Sequence, residues 1–570
     1  MTWSSHPWCG KAARLVAAGA LAAACGETLN AAAELDAAAD VASDVASEAG
    51  APDATVSSDS EVSEGSTTDA SEVDAEIGAD GGACVGLTLP PSSSGKSLWA
   101  KSYGDVGFYA APGIATDAAG NVFLGGSFTN WINFAGTGKG GPETLLSAGW
   151  HDAFVAKLDP TGKHVWSRGF GDIDGQRLNA LTVDQNGNVL IAGEFSGTIA
   201  FSGIDAGAGS LVGTGSWDTF VAKLDPNGSL IWAKQFGGAP LGAQVAEAIA
   251  VDATGNVYVA GGFDHSIEFG APGEAGTTGF TNTNGDYSHD AFLAKFDSNG
   301  AHVWSQHFGA MGGSASATAL AVSPQGKVAI AGWFTETLDF TPDDDASAGL
   351  SSGGGTGSYV AVFDGLGAQQ WSRGFIGTGY LEPTSVAIDS KESVLVAGGF
   401  AGALDFLGIG SDAGSAQVGS GSVDLFLAKF DSSGSHVWGQ IFGSPGFDLP
   451  GTIAMDAMDN VVFAGGFVGS ASFAGIGGSA PKLVTNGGRD VFVAKFDPSG
   501  KGLWNASFGS GGSEYAYAVS VERCTGTPIF TSFFSTSTTT QLLLPSVGNV
   551  GDIVLTSGGG SDFFVARLAP

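Results

Sequence analysis

The sequence predicts an all-β protein: a seven-bladed β-propeller of four-stranded antiparallel blades, closed by pairing N-terminal and C-terminal strands in the seventh blade. Three observations predict it. Trp99, Trp166, Trp232, Trp304, Trp371, Trp438 and Trp504 recur at steps of 67, 66, 72, 67, 67 and 66 residues. Each period holds four short runs of strand character, and no helical period occurs between Lys96 and Pro570. The two ends of the array are complementary half-units. A fixed period marks a repeat architecture, and four-stranded antiparallel units repeated radially are propeller blades.

The strands follow in order within a unit. The first is apolar and ends at a turn, as in EAIAVDATGN (247–256). The second is VYVAGGF, rich in β-branched and aromatic residues. The third and fourth, FVAKLD and HVWSRGF, flank an Asp-Pro-x-Gly or Asp-Ser-x-Gly turn, where Pro and Gly supply the φ values a tight reversal needs. The block is clearest as DAFVAKLDPTGKHVWSRGFG from Asp152 and recurs from Asp218, Asp290, Asp424 and Asp490. The array opens on a fourth strand alone, SLWAKSY (97–103), and stops on a third strand alone, DFFVARL (562–568). Joining them completes a blade and removes free sheet edges.

The block and the following hairpin, seen as VDQNGNVLIAGEF and VDATGNVYVAGGF, resemble the bacterial seven-bladed β-propeller repeat (SBBP) proteins. The resemblance covers about 96–570. Repeat five departs most, with Gly357 and Val362 in place of the block's Asp and Lys, and repeat seven carries VERCTGTPIFTSFF at its hairpin. The resemblance implies a surface or secreted bacterial protein, and it brings no catalytic residues.

The N-terminus reads as an address. Lys11 and Arg14 precede a short apolar run, LVAAGALAAA (15–24), ending at Cys25. This is the shape of a signal peptide (1–24), too short to span a bilayer. Small residues before Cys25 resemble a bacterial lipobox, with Cys25 as the lipidation site, although Ala22 stands where Leu is usual. Ordinary cleavage and secretion is the alternative. Residues 25–95 are Ala/Ser/Asp/Glu-rich, with 15 acidic residues and no Lys or Arg, and are expected to be a disordered tether. The propeller is expected over 96–570.

The formal charge is −35. The tether takes 15 of the 57 acidic residues, and Lys11 and Arg14 take two of the 22 basic ones, leaving the propeller 42 acidic against 20 basic. That excludes nucleic acid as a direct partner, because phosphate binding needs clustered Lys and Arg. Of the four cysteines, Cys9 leaves with the signal and Cys25 carries lipid. Cys84 and Cys524 are expected to form a disulfide in an oxidising compartment, on one face of the closing blade.

The recurring Asp residues at the third strand (Asp152, Asp218, Asp290, Asp424, Asp490, Asp562) and the hairpin (Asp117, Asp184, Asp252, Asp389, Asp456) read as turn devices rather than metal ligands. The third-strand Lys residues invite a cation–π reading with the Trp series, although inter-blade packing of the Trp is the simpler account. His151 and His289 share one slot without the neighbours a zinc site requires. No nucleophile elbow, phosphate loop or HExxH motif occurs, so no catalytic residue, metal or cofactor is assigned.

The connections between second and third strands are long and unlike one another, and each opens on a motif of the I-x-F kind expected to add a short strand. They share a face with the fourth-to-first loops, and variable loops on a rigid scaffold are where binding is placed. Asp172, Asp174, Arg177, His265 and Asp286 are the candidate binding residues on that face. The expected function is non-enzymatic binding of a protein or glycan by a monomeric, lipid-anchored outer-membrane or cell-surface propeller. The alternative is a propeller hydrolase or lyase with a central funnel site.

Overall fold

A computed structural model describes residues 94–570, apart from 104–107, 135–140, 202–208, 215, 238–241, 270–277, 283–287, 341–348, 407–415, 524, 537–540, 547–551 and 557–559. Cys25, Cys84, Cys524 and Asp286 lie outside the described residues. Every element among the described residues is a β-strand. Seven antiparallel four-stranded units recur, and the innermost strand of each packs against the innermost strand of the next. These strands are Phe108–Thr116, Gln176–Val183, Gln244–Val251, Ala315–Val322, Leu381–Ile388, Leu449–Met455 and Ser513–Glu522, the last returning to the first. The fold is the seven-bladed propeller expected from the repeat.

Ring closure is made as the half-units require. Strand Ser97–Tyr103 pairs antiparallel with strand Gly560–Leu568 as the outer strand of blade seven. The turn that joins third and outer strands elsewhere is here rebuilt from two separate stretches. In blade one, Asp159 N–H donates to the Lys163 carbonyl (2.8 Å) and Gly162 N–H to the Asp159 carbonyl (2.9 Å). In blade seven, Ala569 N–H donates to Lys96 O (2.8 Å) and Gly95 N–H to Ala569 O (3.0 Å). Ala569-Pro570 and Gly95-Lys96 thus take the places of Asp159-Pro160 and Gly162-Lys163.

The tryptophans lock each blade to the next. Trp371 Nε1–H donates to the Ser432 carbonyl (3.2 Å), and its ring lies on Gly434 of that turn. Trp99, Trp166, Trp232, Trp304 and Trp438 do the same with Gly162, Gly228, Gly300, Gly367 and Gly500. Trp504 lies on Gly95, so the seventh contact is supplied across the closure.

The repeat's Lys side chains turn to carboxylates rather than to indoles. Lys223, Lys429 and Lys495 pair with Asp184, Asp389 and Asp456 at 2.9, 2.8 and 3.0 Å, all buried. In blade three, Lys295 instead lies over the Tyr258 ring (5.0 Å), whose hydroxyl donates to Asp252. Blade four lacks both charges: Ser323 and Val362 occupy the two slots. Blade seven replaces both, with Glu522 paired to Arg567. The slots change together because a buried charge left without its partner is costly.

The described parts of the long second-to-third connections contain strands. Each returns as a small hairpin, for example Trp131–Asn133 with Thr144–Leu146, and Ser266–Phe269 with Thr278–Thr281. In blades four and six the hairpin continues the blade strands themselves. The I-x-F aromatics Phe134, Phe201, Phe269, Phe340, Phe406 and Phe473 are all buried. Phe201 lies between Phe170 of the blade-one outer strand and Phe220 of the blade-two third strand, at 5.2 and 5.7 Å. Blades diverge away from the axis, and these hairpins fill the wedge that opens. His164, His302 and His436, read from sequence as outer-strand residues, stack on Phe134, Phe269 and Phe406 with interplanar angles of 15°, 12° and 12°.

Around the axis, side chains at β-bulges stitch neighbouring inner strands. Asn179 Nδ2–H donates to Ala246 O (3.1 Å), Thr318 Oγ1–H to Pro383 O (2.7 Å) and Thr384 Oγ1–H to Gly451 O (2.7 Å). Each of these residues is the extra one in its bulge, where the unpaired position frees a side chain to reach sideways.

Candidate functional site

Alternating strand directions put the second-to-third connections and the outer-to-inner loops on one face, and the tight turns on the other. On the long-loop face one neighbourhood brings together large polar and aromatic residues from several adjacent slots. The residue before the third-strand Asp is His151 in blade one and Trp217 in blade two. The slot occupied by Gly262, Gly399 and Gly466 in other blades holds Glu194 in blade two.

These residues converge. Arg177 Nη1 meets Glu194 Oε1 at 2.9 Å, and its Nε–H donates to His151 Nε2 at 3.2 Å. Its guanidinium also lies 4.5 Å from the Trp217 ring centroid. The His151 imidazole is parallel to Trp217 within 10° and to Trp150 within 20°, at centroid distances of 6.1 and 6.0 Å. His151, Arg177 and Glu194 are buried, at 2%, 8% and 4% exposure. Burial, and then the charge of Arg177, hold the His151 imidazole down to a pKa of about 4, so at neutral pH it is an uncharged ring that stacks and accepts.

Trp150 at the edge of this stack is 75% exposed. Beside it runs the loop 171–175. Gly149 sits so close that a Cβ on it would stand 2.4 Å from the Ile173 carbonyl carbon. Asp172 pins that loop: Oδ1 accepts from Asp174 N–H (2.8 Å) and Gln176 Nε2–H (2.8 Å), and Oδ2 from Thr198 N–H (2.7 Å). Ile173 is held at the apex, 79% exposed. The result is a Trp and an Ile both exposed to water on neighbouring loops, with the exposed carboxylate of Asp174 next in the chain.

The residues expected from sequence fall into different roles. Asp172 and Asp174 belong to this loop, the first as its brace and the second as a free edge. Arg177 is not a loop side chain; it starts an inner strand and is buried and ion-paired. His265 has φ of 57° and lies 3.4 Å from Asp264. It shares its place after the second strand with Asn130, Gly197, Glu336, Gly402 and Gly469, all at positive φ. That slot is the left-handed turn that opens each hairpin, which Gly, Asn and His tolerate better than most. Trp150, His151, Trp217 and Glu194 were missed as a group. Part of the signal was there: Trp150 stands where Ser216, Ser288, Ser422 and Gly488 stand in other blades, and Glu194 is an acidic residue at the slot of Gly262, Gly399 and Gly466. The slot of His151 and Trp217, by contrast, varies from blade to blade.

The third-strand Asp carboxylates accept from loop N–H groups just before them, as Asp152 does from Ala148 (2.9 Å) and Asp490 from Asn486 (2.9 Å). They also lie against the glycine that follows the outer strand, Gly171 and Gly509 in these two cases. They brace the loop ends of the blades.

The fold defines the class: a seven-bladed β-propeller repeat protein. No known family model matches the sequence. An uncharacterized WD repeat-containing protein of Acanthamoeba polyphaga mimivirus is 31% identical over 129 residues, which is 22% of this chain and only 9% of that relative's length. Among solved structures, Sqt1 from Chaetomium thermophilum is 12% identical, with 77% of this chain and 97% of that one covered and a TM-score of 0.35. The Dos1 propeller is 10% identical, covering 82% and 95%, with a TM-score of 0.32. A puromycin hydrolase variant is 11% identical, covering 84% and 57%, with a TM-score of 0.38. At such identities and scores these proteins lend this chain neither an activity nor a partner.

Proposed function

We propose that this chain is an exported, lipid-anchored bacterial surface protein of the SBBP-repeat kind that binds a protein or glycan through its long-loop face, without catalysis. A signal peptide of 1–24 is removed, Cys25 carries lipid, 25–95 is the acidic tether and 96–570 the displayed, monomeric propeller.

The observation that supports this reading best is the Trp150–Ile173 patch, together with where the chain enters the fold. Gly95 and Lys96 stand at a tight-turn position, on the face opposite the long loops. A tether entering there leaves the Trp150 face clear of the point of attachment. Trp150 and Ile173 are 75% and 79% exposed on neighbouring loops, and contiguous exposed apolar surface marks interaction sites.

The test is expression in a Gram-negative host with membrane fractionation and intact mass. A diacylated or triacylated chain beginning at Cys25, found in membranes, is the expected result. An unlipidated chain in the soluble fraction overturns the anchored reading.

A further inference from the structure

We infer that the Trp150–Ile173 patch takes a cationic protein segment, which lays a planar or aliphatic side chain against the exposed Trp150 ring. This deepens the binding reading above and rests on it.

Three observations lead there. The Trp150 indole is 75% exposed and lies 6.0 Å from the His151 imidazole at 20°, and that imidazole is itself held by Trp217 and Arg177. Pre-ordering of this kind lowers the entropy lost on binding. The loop whose backbone passes against Gly149, next to Trp150, carries Ile173, an exposed aliphatic side chain beside the bracing Asp172. An indole beside an isoleucine suits an aromatic, proline or aliphatic side chain, since exposed apolar anchors are what protein partners bury. A sugar would instead meet an aliphatic surface where its hydroxyls need partners.

Charge selects further. The loop carries Asp172 and Asp174 and no cation, and Arg177 of the supporting stack is buried against Glu194. The propeller as a whole has 42 acidic residues against 20 basic. Complementary charge speeds encounter and excludes acidic partners. An acidic peptide or an anionic glycan is disfavoured on the same ground.

The test is selection from a random 12-residue peptide library on the full mature chain in detergent, counter-selected on W150A. Trp150 is exposed, so the variant is expected to keep the wild-type unfolding temperature. Enriched peptides should be net positive with an aromatic, Pro or aliphatic residue. A synthesised one should lose at least tenfold in affinity with W150A and with I173S. M458A, on the opposite face, should leave it unchanged, and added salt should weaken it. No enrichment over W150A, enrichment of acidic sequences, or W150A-sensitive binding of cellotriose or chitotriose in place of peptides overturns the inference. Sugar binding would leave the binding-face reading intact, and the lipidation result bears on neither outcome.

Discussion

The ring of Trp371 lies on Gly434 of the neighbouring blade so closely that a Cβ there would stand 2.6 Å from Cδ2 of the indole. The glycine has φ of 81°, and the same turn's Ser432 carbonyl accepts from the indole N–H. Two demands therefore meet at one residue: a left-handed backbone and the absence of a side chain.

Gly434→Ala should cost more than the backbone penalty alone. A non-glycine residue at positive φ costs roughly 1–2 kcal/mol, and displacing Trp371 adds to it. Gly354 makes the control, since its φ is 93° but a Cβ there meets nothing within 4 Å. Urea unfolding of both variants should show Gly434→Ala clearly the less stable. Equal losses would mean that the indole contact contributes nothing.

The Asp389–Lys429 pair should behave as a unit. Lys429→Val leaves a buried carboxylate and should destabilise by about 3 kcal/mol. Adding Asp389→Ser copies the Ser323 and Val362 of blade four and should recover most of that loss. A double variant as unstable as the summed singles would contradict the pairing.

Phe473 tests whether the long connections are structural. It stacks on Phe492 at 4.3 Å and 18° and is wholly buried, although it lies outside the four blade strands. Phe473→Ala should cost about 3–5 kcal/mol, the range for a core phenylalanine. A change below about 1 kcal/mol would return the hairpin to the status of a surface loop.

His151 should stay neutral well into acid. Its folded pKa of about 4 lies below the ordinary 6.5, so the unfolded chain takes up the proton first. Its contribution to stability is complete above about pH 6.5 and falls by up to about 3 kcal/mol as pH drops to about 4. Asp448, raised to about 6 chiefly by burial, acts in the opposite sense between its ordinary value and 6. The clean readout is therefore imidazole NMR. An uncharged ring is expected at pH 5.5, with the midpoint rising in Arg177→Gln; a wild-type midpoint near 6.5 would refute the stacked, buried site.

Much of this was legible from residues alone, because the repeat is local. A strand, its turn and the next strand lie within about twenty residues, as from Asp152 to Gly171, so their pattern shows in one pass. The half-units at Ser97 and Asp562 announced the closure for the same reason. The simpler account of the Trp series, inter-blade packing, is what the structure shows, whereas the carboxylate partners of the Lys series, such as Asp389 for Lys429, sit forty residues back and were not read. Arg177 looked like a loop residue because the inner strand begins one residue before it.

By itself, then, the sequence determined the blade number, the strand order and the closure, since hydrophobic period and turn chemistry act between near neighbours. Only the tertiary structure decided which of the varying residues come together. His151 of one blade meets Arg177 and Trp217 of the next, and Arg177 meets Glu194, because the loop ends of adjacent blades lie side by side on one face. That convergence joins residues from several strands at distances no local pattern encodes.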